Sequence, residues 1–137
     1  MFFILTALAL SISTVVSQES PFSTLALEEL MDFSKKYFGD NWSDDLSERA
    51  LQWMTKNTSK KSRLSYKGRR CFPKPRGDMP DEFIKVAPKF ATPFENQKKK
   101  VTTSLGTSAN YGCNGIFDKK NPEKDCIIVG CLFSSTN

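Results

Sequence analysis

Two hydrophobic stripes at helical spacing dominate the first half of the chain. The first predicts a helix over residues 24–38, closed by Gly39 as its C-cap. A second stripe predicts a helix that opens at residues 43–45. The buried positions of the two stripes are Leu27, Leu30, Met31, Ser34 and Phe38, then Leu46, Ala50, Trp53 and Met54.

The last third of the chain has the pattern of a β-hairpin. Residues 111–117 and 125–133 flank a polar, charged connection. Ile127, Ile128 and Val129 form a continuous apolar run, which is typical of a strand covered on both faces. Helices followed by strands predict an α+β fold.

Prolines interrupt the middle of the chain. Because proline breaks helices and removes a ladder donor, we expect only short elements there, including a short strand over residues 63–66. The prolines are Pro73, Pro75, Pro80, Pro88 and Pro93.

The N-terminal segment indicates export. Residues 2–16 carry no charged side chain, and about fifteen apolar residues are fewer than the roughly 20 that span a bilayer. We predict a signal peptide over residues 1–17, cut before Gln18, and one mature domain over residues 18–137. A buried N-terminal helix is the alternative. The mature chain is then secreted and extracellular, without a transmembrane segment.

The cysteines are expected to form disulfides in that compartment. Cys126 and Cys131 lie in one predicted strand, about 16 Å apart at 3.3 Å per residue, so they are too distant to pair. Cys113 is expected to pair across the hairpin or with Cys71. The sequence does not choose between these arrangements.

Two N-x-[ST] sequons also suit an exported protein. They begin at Asn41 and Asn57, and they predict N-glycosylation. Unmodified surface loops are an equally good interpretation.

Charge is distributed unevenly along the chain. Residues 19–48 hold eight acids and two bases, whereas residues 49–76 hold ten bases and no acid. The basic stretch suits heparin-like polymers, anionic lipid or an acidic protein surface. The alternative is a solvated loop that offsets the acidic helix before it. We expect no nucleic-acid partner, because an exported protein rarely meets nucleic acid.

Composition gives catalysis little support. The chain of 137 residues has no histidine, so a serine or cysteine nucleophile lacks its usual base. No phosphate-binding loop or dinucleotide fingerprint is present. We predict a non-enzymatic protein with no cofactor and no metal site.

Four segments of the chain carry a family resemblance: residues 27–39, 41–53, 105–113 and 128–133. The first two resemble the first helices of the CAP superfamily of cysteine-rich secretory, antigen 5 and pathogenesis-related proteins (the SCP domain). The third is similar to its W-x-x-[ST]-x-x-[VI]-G-C segment, and the fourth to its closing strand. The resemblance implies an α-β-α sandwich with helices on both faces of a small antiparallel sheet. It also allows lipid or sterol binding, for which the aromatic side chains of Phe83, Phe90 and Phe94 are candidates.

The chain departs from that family at its metal-binding pocket. Met31 and Lys99 occupy the two histidine positions, and Asp32 replaces an asparagine. Arg69 replaces one pocket glutamate, and Glu82 is the candidate for the remaining acid. The resemblance is therefore to a degenerate member without the metal tetrad.

The sharpest single motif is an Arg-Gly-Asp tripeptide. Arg76, Gly77 and Asp78 lie between two prolines and are followed by Met-Pro, an arrangement that resembles the integrin-binding loop of snake-venom disintegrins. The aspartate would complete a metal site on the integrin, and the prolines would limit the ordering cost of binding. A chance tripeptide in a Pro/Gly turn is the alternative.

The leading hypothesis is a secreted CAP-like protein that binds an extracellular or cell-surface partner, an integrin through Arg76, Gly77 and Asp78. Lipid or sterol carriage is the first alternative. A scaffold whose basic stretch binds polyanions is the second.

Overall fold

The structure, a computed structural model, describes residues 19–56, 62, 64–74 and 83–135. These residues form four strands, three α-helices and two short 3₁₀ helices. In chain order they are β1 (Glu19–Pro21), α1 (Thr24–Phe38), α2 (Asp44–Lys56), β2 (Leu64–Pro73), 3₁₀ helices at Phe83–Lys85 and Ala87–Phe90, α3 (Ala91–Leu105), β3 (Asn110–Asp118) and β4 (Lys124–Ser134).

The four strands form one antiparallel sheet in the order β1-β3-β4-β2. β3 and β4 form the predicted hairpin, with Cys113 opposite Cys131. β2 pairs with β4 over its whole length, from Leu64 opposite Phe133 to Pro73 opposite Lys124. β1 and β2 are therefore the two edges of the sheet.

Helices cover both faces of this sheet. One face, which we call the inner face, packs against α1 and α3 and carries Tyr111, Val129 and Phe133. The opposite, outer face packs against α2, where Leu132 contacts Leu46 and Ala50. The α+β class is confirmed, and helices lie on both sides of a small antiparallel sheet. No helix in the described part of the chain is long and apolar enough to cross a membrane.

α2 lies unusually close to the outer face. A Cβ atom placed on Gly112 would lie 2.2 Å from the Ser47 backbone nitrogen, so only glycine fits there. The Ser47 hydroxyl donates to the Cys113 carbonyl at 2.7 Å, and the buried Asn114 amide donates to the Ser47 carbonyl at 3.2 Å. These contacts satisfy the polar groups that the close approach buries.

Aromatic side chains fill the inner core, and Phe94 lies at their centre. Its ring centroid is 5.1 Å from that of Phe33, 5.2 Å from Phe38 and 5.5 Å from Tyr66. Phe83, Phe90 and Phe94 are all fully buried. The prediction of an open lipid groove at these three residues is wrong, because other side chains already occupy that space.

The sequence predicted the first two helices correctly. α1 spans the expected residues and begins at Ser23, whose hydroxyl accepts a hydrogen bond from the Ala26 amide at 3.2 Å. It ends at Gly39, which has a φ of 90° and donates its amide to the Lys35 carbonyl. Ser43 caps α2 in the same way, by accepting from the Leu46 amide.

Two predictions for the middle of the chain are wrong. The expected short strand at residues 63–66 is a strand of 10 residues, Leu64–Pro73, that runs through the basic stretch. The expectation of short elements only fails at α3, a helix of 15 residues. Pro93 lies in the first turn of α3, where backbone amides have no partner within the helix, so the proline costs no hydrogen bond.

Candidate functional site

β2 is an edge strand whose backbone has one paired side and one open side. On the paired side, its ladder with β4 continues into a bond from the Lys74 amide to the Glu123 carbonyl at 3.0 Å. The backbone amides and carbonyls of the odd-numbered residues of β2 point away from β4. Two of these carbonyls have side-chain donors: the Ser65 carbonyl accepts from Gln97, and the Arg69 carbonyl accepts from the Arg70 guanidinium at 2.9 Å. In the described part of the chain, no strand lies beyond this side.

Cations gather along this edge from three elements. Lys67 lies over the Trp53 ring at 5.6 Å, Arg70 over Phe90 at 5.8 Å and Lys89 over Phe72 at 5.4 Å. At the other end of β2, Lys99 and Lys100 of α3 line a shallow depression with Leu64. We call these five residues the basic edge surface: Lys67, Arg70, Lys89, Lys99 and Lys100.

Within the described residues, none of the five cations of this surface forms an ion pair. Other cations are matched: Arg69 pairs with Asp118 at 3.4 Å and Lys74 with Asp125 at 3.8 Å. The alternative of a solvated loop that offsets the acidic helix does not hold for residues 64–73, since they form a strand. The basic edge surface therefore carries uncompensated positive charge.

The two disulfides link β4 to both of its neighbours. Cys113 pairs with Cys131 across the hairpin, one of the arrangements that the sequence left open, and Cys71 pairs with Cys126 in β2. Cys126 and Cys131 are not bonded to each other, as expected. Arg69 places a guanidinium nitrogen 3.4 Å from the Cys126 sulfur, so the Cys71–Cys126 bond lies beside a charged group.

A half-open pocket lies where α1 and α3 end. Its volume is about 260 Å³, and its walls include Lys35, Lys98, Val101 and Tyr111. The Tyr111 hydroxyl donates to the Gly39 carbonyl at 2.6 Å. Burial, with a smaller contribution from the Asp40 charge, raises the pKa of Tyr111 to about 12. Tyr111 is therefore a neutral structural donor rather than a titrating group at physiological pH.

Several predicted site residues lie outside the described residues. They are Arg76, Gly77 and Asp78 of the RGD motif, the sequon at Asn57 and the signal peptide. The first sequon, at Asn41, lies within the residues that the structure describes. Asn41 is exposed, and its side-chain amide donates to the Ser108 carbonyl at 2.8 Å. Glycosylation of Asn41 and Asn57 stays a prediction.

The residues predicted at CAP pocket positions are not brought together. Met31 lies beside Trp42, Lys99 lies beside Leu64, and Arg69 lies against Asp118. Asp32 is exposed on α1, and Glu82 is outside the described residues. Where side chains are described, no group of three or more acids or cysteines is arranged to hold a metal ion.

Three cations of the basic edge surface were not predicted from the sequence, because the basic stretch was placed at residues 49–76. They are Lys89 of the second 3₁₀ helix and Lys99 and Lys100 of α3, and no helix was predicted there. A signal was present: Phe90, Phe94, Gln97, Val101 and Leu105 repeat at helical spacing.

The fold and surface define a small, disulfide-linked α+β domain with a positively charged sheet edge. The family comparison matches residues 29–135 to ES15, the 15 kDa excretory/secretory protein. The chain belongs to this family. Its membership and its two disulfides are consistent with secretion. The comparisons with curated proteins and with solved structures found no match.

The CAP resemblance is therefore wrong. The family match covers all four segments on which the resemblance relied except two residues at its start, and it assigns them to ES15. The segments were short, and their spacing of tryptophan, glycine and cysteine also suits helix packing and strand pairing in an unrelated α+β fold.

Proposed function

We propose that this protein is a secreted, non-catalytic binding protein that recognises an acidic extracellular partner through the basic edge surface. The observation that carries the proposal is the set of five cations along β2 and its neighbours that form no ion pair within the described residues. A surface of one sign attracts partners of the opposite sign and accelerates their encounter.

The aromatic contacts of this surface favour recognition over a merely solvated face. Arg70 is held from two sides, by the Phe90 ring and by a bond from its Nε to the Lys89 carbonyl at 3.3 Å. Side chains that are already ordered lose less conformational entropy when a partner binds. The strand beneath them is rigid as well, because the Cys71–Cys126 disulfide ties it to β4.

Salt-dependent binding to anionic probes tests this function. The mature protein is titrated with heparin and with poly-glutamate over a range of ionic strength, and we expect affinity to fall as salt rises. Lys99→Gln with Lys100→Gln should weaken binding. A matched pair, Lys35→Gln with Lys36→Gln on α1, removes the same charge away from β2 and should change affinity less. Equal losses in both variants, or no binding to either probe, would refute the proposal.

An integrin remains the candidate partner for the RGD motif. The ends of the segment that carries it are fixed: Lys74 bonds to Glu123, and Phe83 is fully buried. In the sequence, the motif begins two residues after Lys74 and five residues after Cys71, which is disulfide-bonded to Cys126. Asp78→Glu keeps the charge but lengthens the side chain, so it should abolish inhibition of integrin-dependent adhesion. Unchanged inhibition by this variant would remove the integrin hypothesis.

A further inference from the structure

We infer that the open edge of β2 binds an extended acidic peptide segment, which adds to the sheet as a fifth strand beside β2. The inference rests on the proposed function, since it uses the same basic edge surface and names the partner class. Within the described residues, a row of backbone groups without hydrogen-bond partners lies beside a row of cations without ion-pair partners, and this placement supports the inference.

The backbone row comes from the odd-numbered residues of β2. The Lys67, Arg69 and Cys71 amides face away from β4, as do the Lys67 and Cys71 carbonyls. In the part of the chain that the structure describes, none of these groups has a hydrogen-bond partner. Water can satisfy them in the free protein, and a peptide strand would replace that water with a regular ladder.

The length of the open edge matches a short peptide. From Lys67 to Cys71 the strand extends about 13 Å at roughly 3.3 Å per residue, which suits about five residues of a partner. The disulfide at Cys71 and the full ladder with β4 keep the edge extended, so β2 need not order itself on binding.

The positive charge of the basic edge surface determines which kind of strand can pair with β2. Lysine on an edge strand discourages pairing with a second copy of the same edge, because like charges would face each other. An acidic strand meets the opposite condition, since its carboxylates would lie beside Lys67 and Arg70. The other edge of the sheet is less suitable, because β1 has 3 residues and ends at Pro21.

The mixture of donors and acceptors favours a peptide over a sulfated polysaccharide. Sulfate groups only accept hydrogen bonds, and the hydroxyl and N–H donors of a polysaccharide do not repeat at strand spacing, so such a chain does not match the outward amides and the Lys67 and Cys71 carbonyls together. A peptide backbone supplies both groups at the spacing of a strand. We therefore commit to a peptide, and heparin becomes a comparison in the test.

The experiment uses a fluorescent peptide of about ten residues with a repeated Glu-Glu-Thr-Thr sequence. This repeat places carboxylates on both faces of the added strand, because Lys67 and Arg70 lie on opposite faces of the sheet. Its control is the same peptide with every backbone amide N-methylated, which keeps the charge and blocks the ladder at both edges of the peptide; methylation of alternate amides would leave one edge free to pair with β2. We expect the control to bind at least about tenfold more weakly, equivalent to one or two lost hydrogen bonds. Hydrogen exchange at the Lys67, Arg69 and Cys71 amides should slow only with the unmodified peptide.

A pair of variants at one position provides a second readout. Lys67→Gln removes the charge and keeps the backbone amide, whereas Lys67→Pro removes both. Proline is tolerated on an edge strand where the amide faces solvent, so the ladder with β4 should survive. We expect Lys67→Pro to bind the peptide more weakly than Lys67→Gln does. If the Lys67→Pro variant fails to fold, the comparison of the peptide with its N-methylated control still tests strand addition.

The outcomes separate the two proposals. Equal binding of the peptide and its N-methylated control would overturn strand addition and leave the proposed function intact. Binding of heparin without binding of the peptide would do the same. Absence of binding to heparin, poly-glutamate and the peptide would overturn both proposals.

Discussion

The buried Tyr111 hydroxyl predicts a loss of stability at alkaline pH. Tyr111 is fully buried, its ring is T-shaped to Phe38 at 5.4 Å, and its hydroxyl donates to the Gly39 carbonyl. Ionisation would leave an anion in the core and would remove this hydrogen bond at the end of α1. The neutral form is therefore the one that the folded state favours.

The sign and size of the effect follow from the raised pKa. Between pH 10 and pH 12 the unfolded chain loses the Tyr111 proton while the folded chain keeps it, since the folded pKa is about 12. Stability falls over this interval by about 1.4 kcal/mol per pH unit, roughly 3 kcal/mol in all. The contribution is fully present below the unfolded pKa and is lost as the pH rises towards the folded pKa.

Chemical denaturation of the wild type and Tyr111→Phe across this pH range measures the effect. Near neutral pH the variant should be less stable by about 1 kcal/mol, because the hydrogen bond to Gly39 is lost. Above pH 10 it should lose less stability than the wild type, so the difference between the two proteins shrinks or reverses. Burial also raises the pKa of Tyr66, but that contribution is common to both proteins. Parallel stability curves would refute the reasoning.

Three further predictions concern packing and covalent links. Mild reductant should reduce the Cys71–Cys126 disulfide before the Cys113–Cys131 disulfide, because Cys71 is partly exposed and both cysteines of the second bond are fully buried. Alkylation followed by mass spectrometry gives the order of reduction, and the reverse order would contradict the prediction. Gly112→Ala should destabilise the fold by at least 1–3 kcal/mol, roughly the cost of overpacking, since its Cβ would meet α2 backbone; an unchanged denaturation midpoint would contradict it. Phe94→Ala should cost about 3–5 kcal/mol, the usual range for a buried phenylalanine, whereas Phe94→Leu should cost less.

Elements with strong local signals could be predicted from the sequence. α1 has an apolar stripe, a serine cap and a glycine stop, and its observed bounds agree with the prediction. The hairpin of β3 and β4 was equally clear, because apolar runs flank a polar connection. In both cases the local pattern and the tertiary packing favour the same structure.

The middle of the chain could not be predicted as well, because two local signals there point away from the observed structure. The basic residues of β2 suggested a loop, but alternate residues of this strand, including Leu64, Tyr66 and Phe72, pack against the core. Pro93 suggested a break, yet its place in the first turn of α3 is compatible with a helix.

Only part of the basic edge surface could be predicted from the sequence, because the helix α3 was not predicted. The sequence identified the basic stretch, but Lys99 and Lys100 join it through folding alone. Their place beside Leu64 depends on how α3 crosses the inner face. A charged surface built from distant segments has no signature in any single window of sequence.

The position of the Cys71–Cys126 bond has a consequence for survival outside the cell. A protease that cuts once anywhere between these two cysteines, including within the RGD segment, leaves two pieces that stay covalently joined. The Cys113–Cys131 bond protects the hairpin turn in the same manner. Nicked molecules would therefore travel intact in a non-reducing gel and separate only after reduction, and a protein with cleaved loops could still present its sheet to a partner.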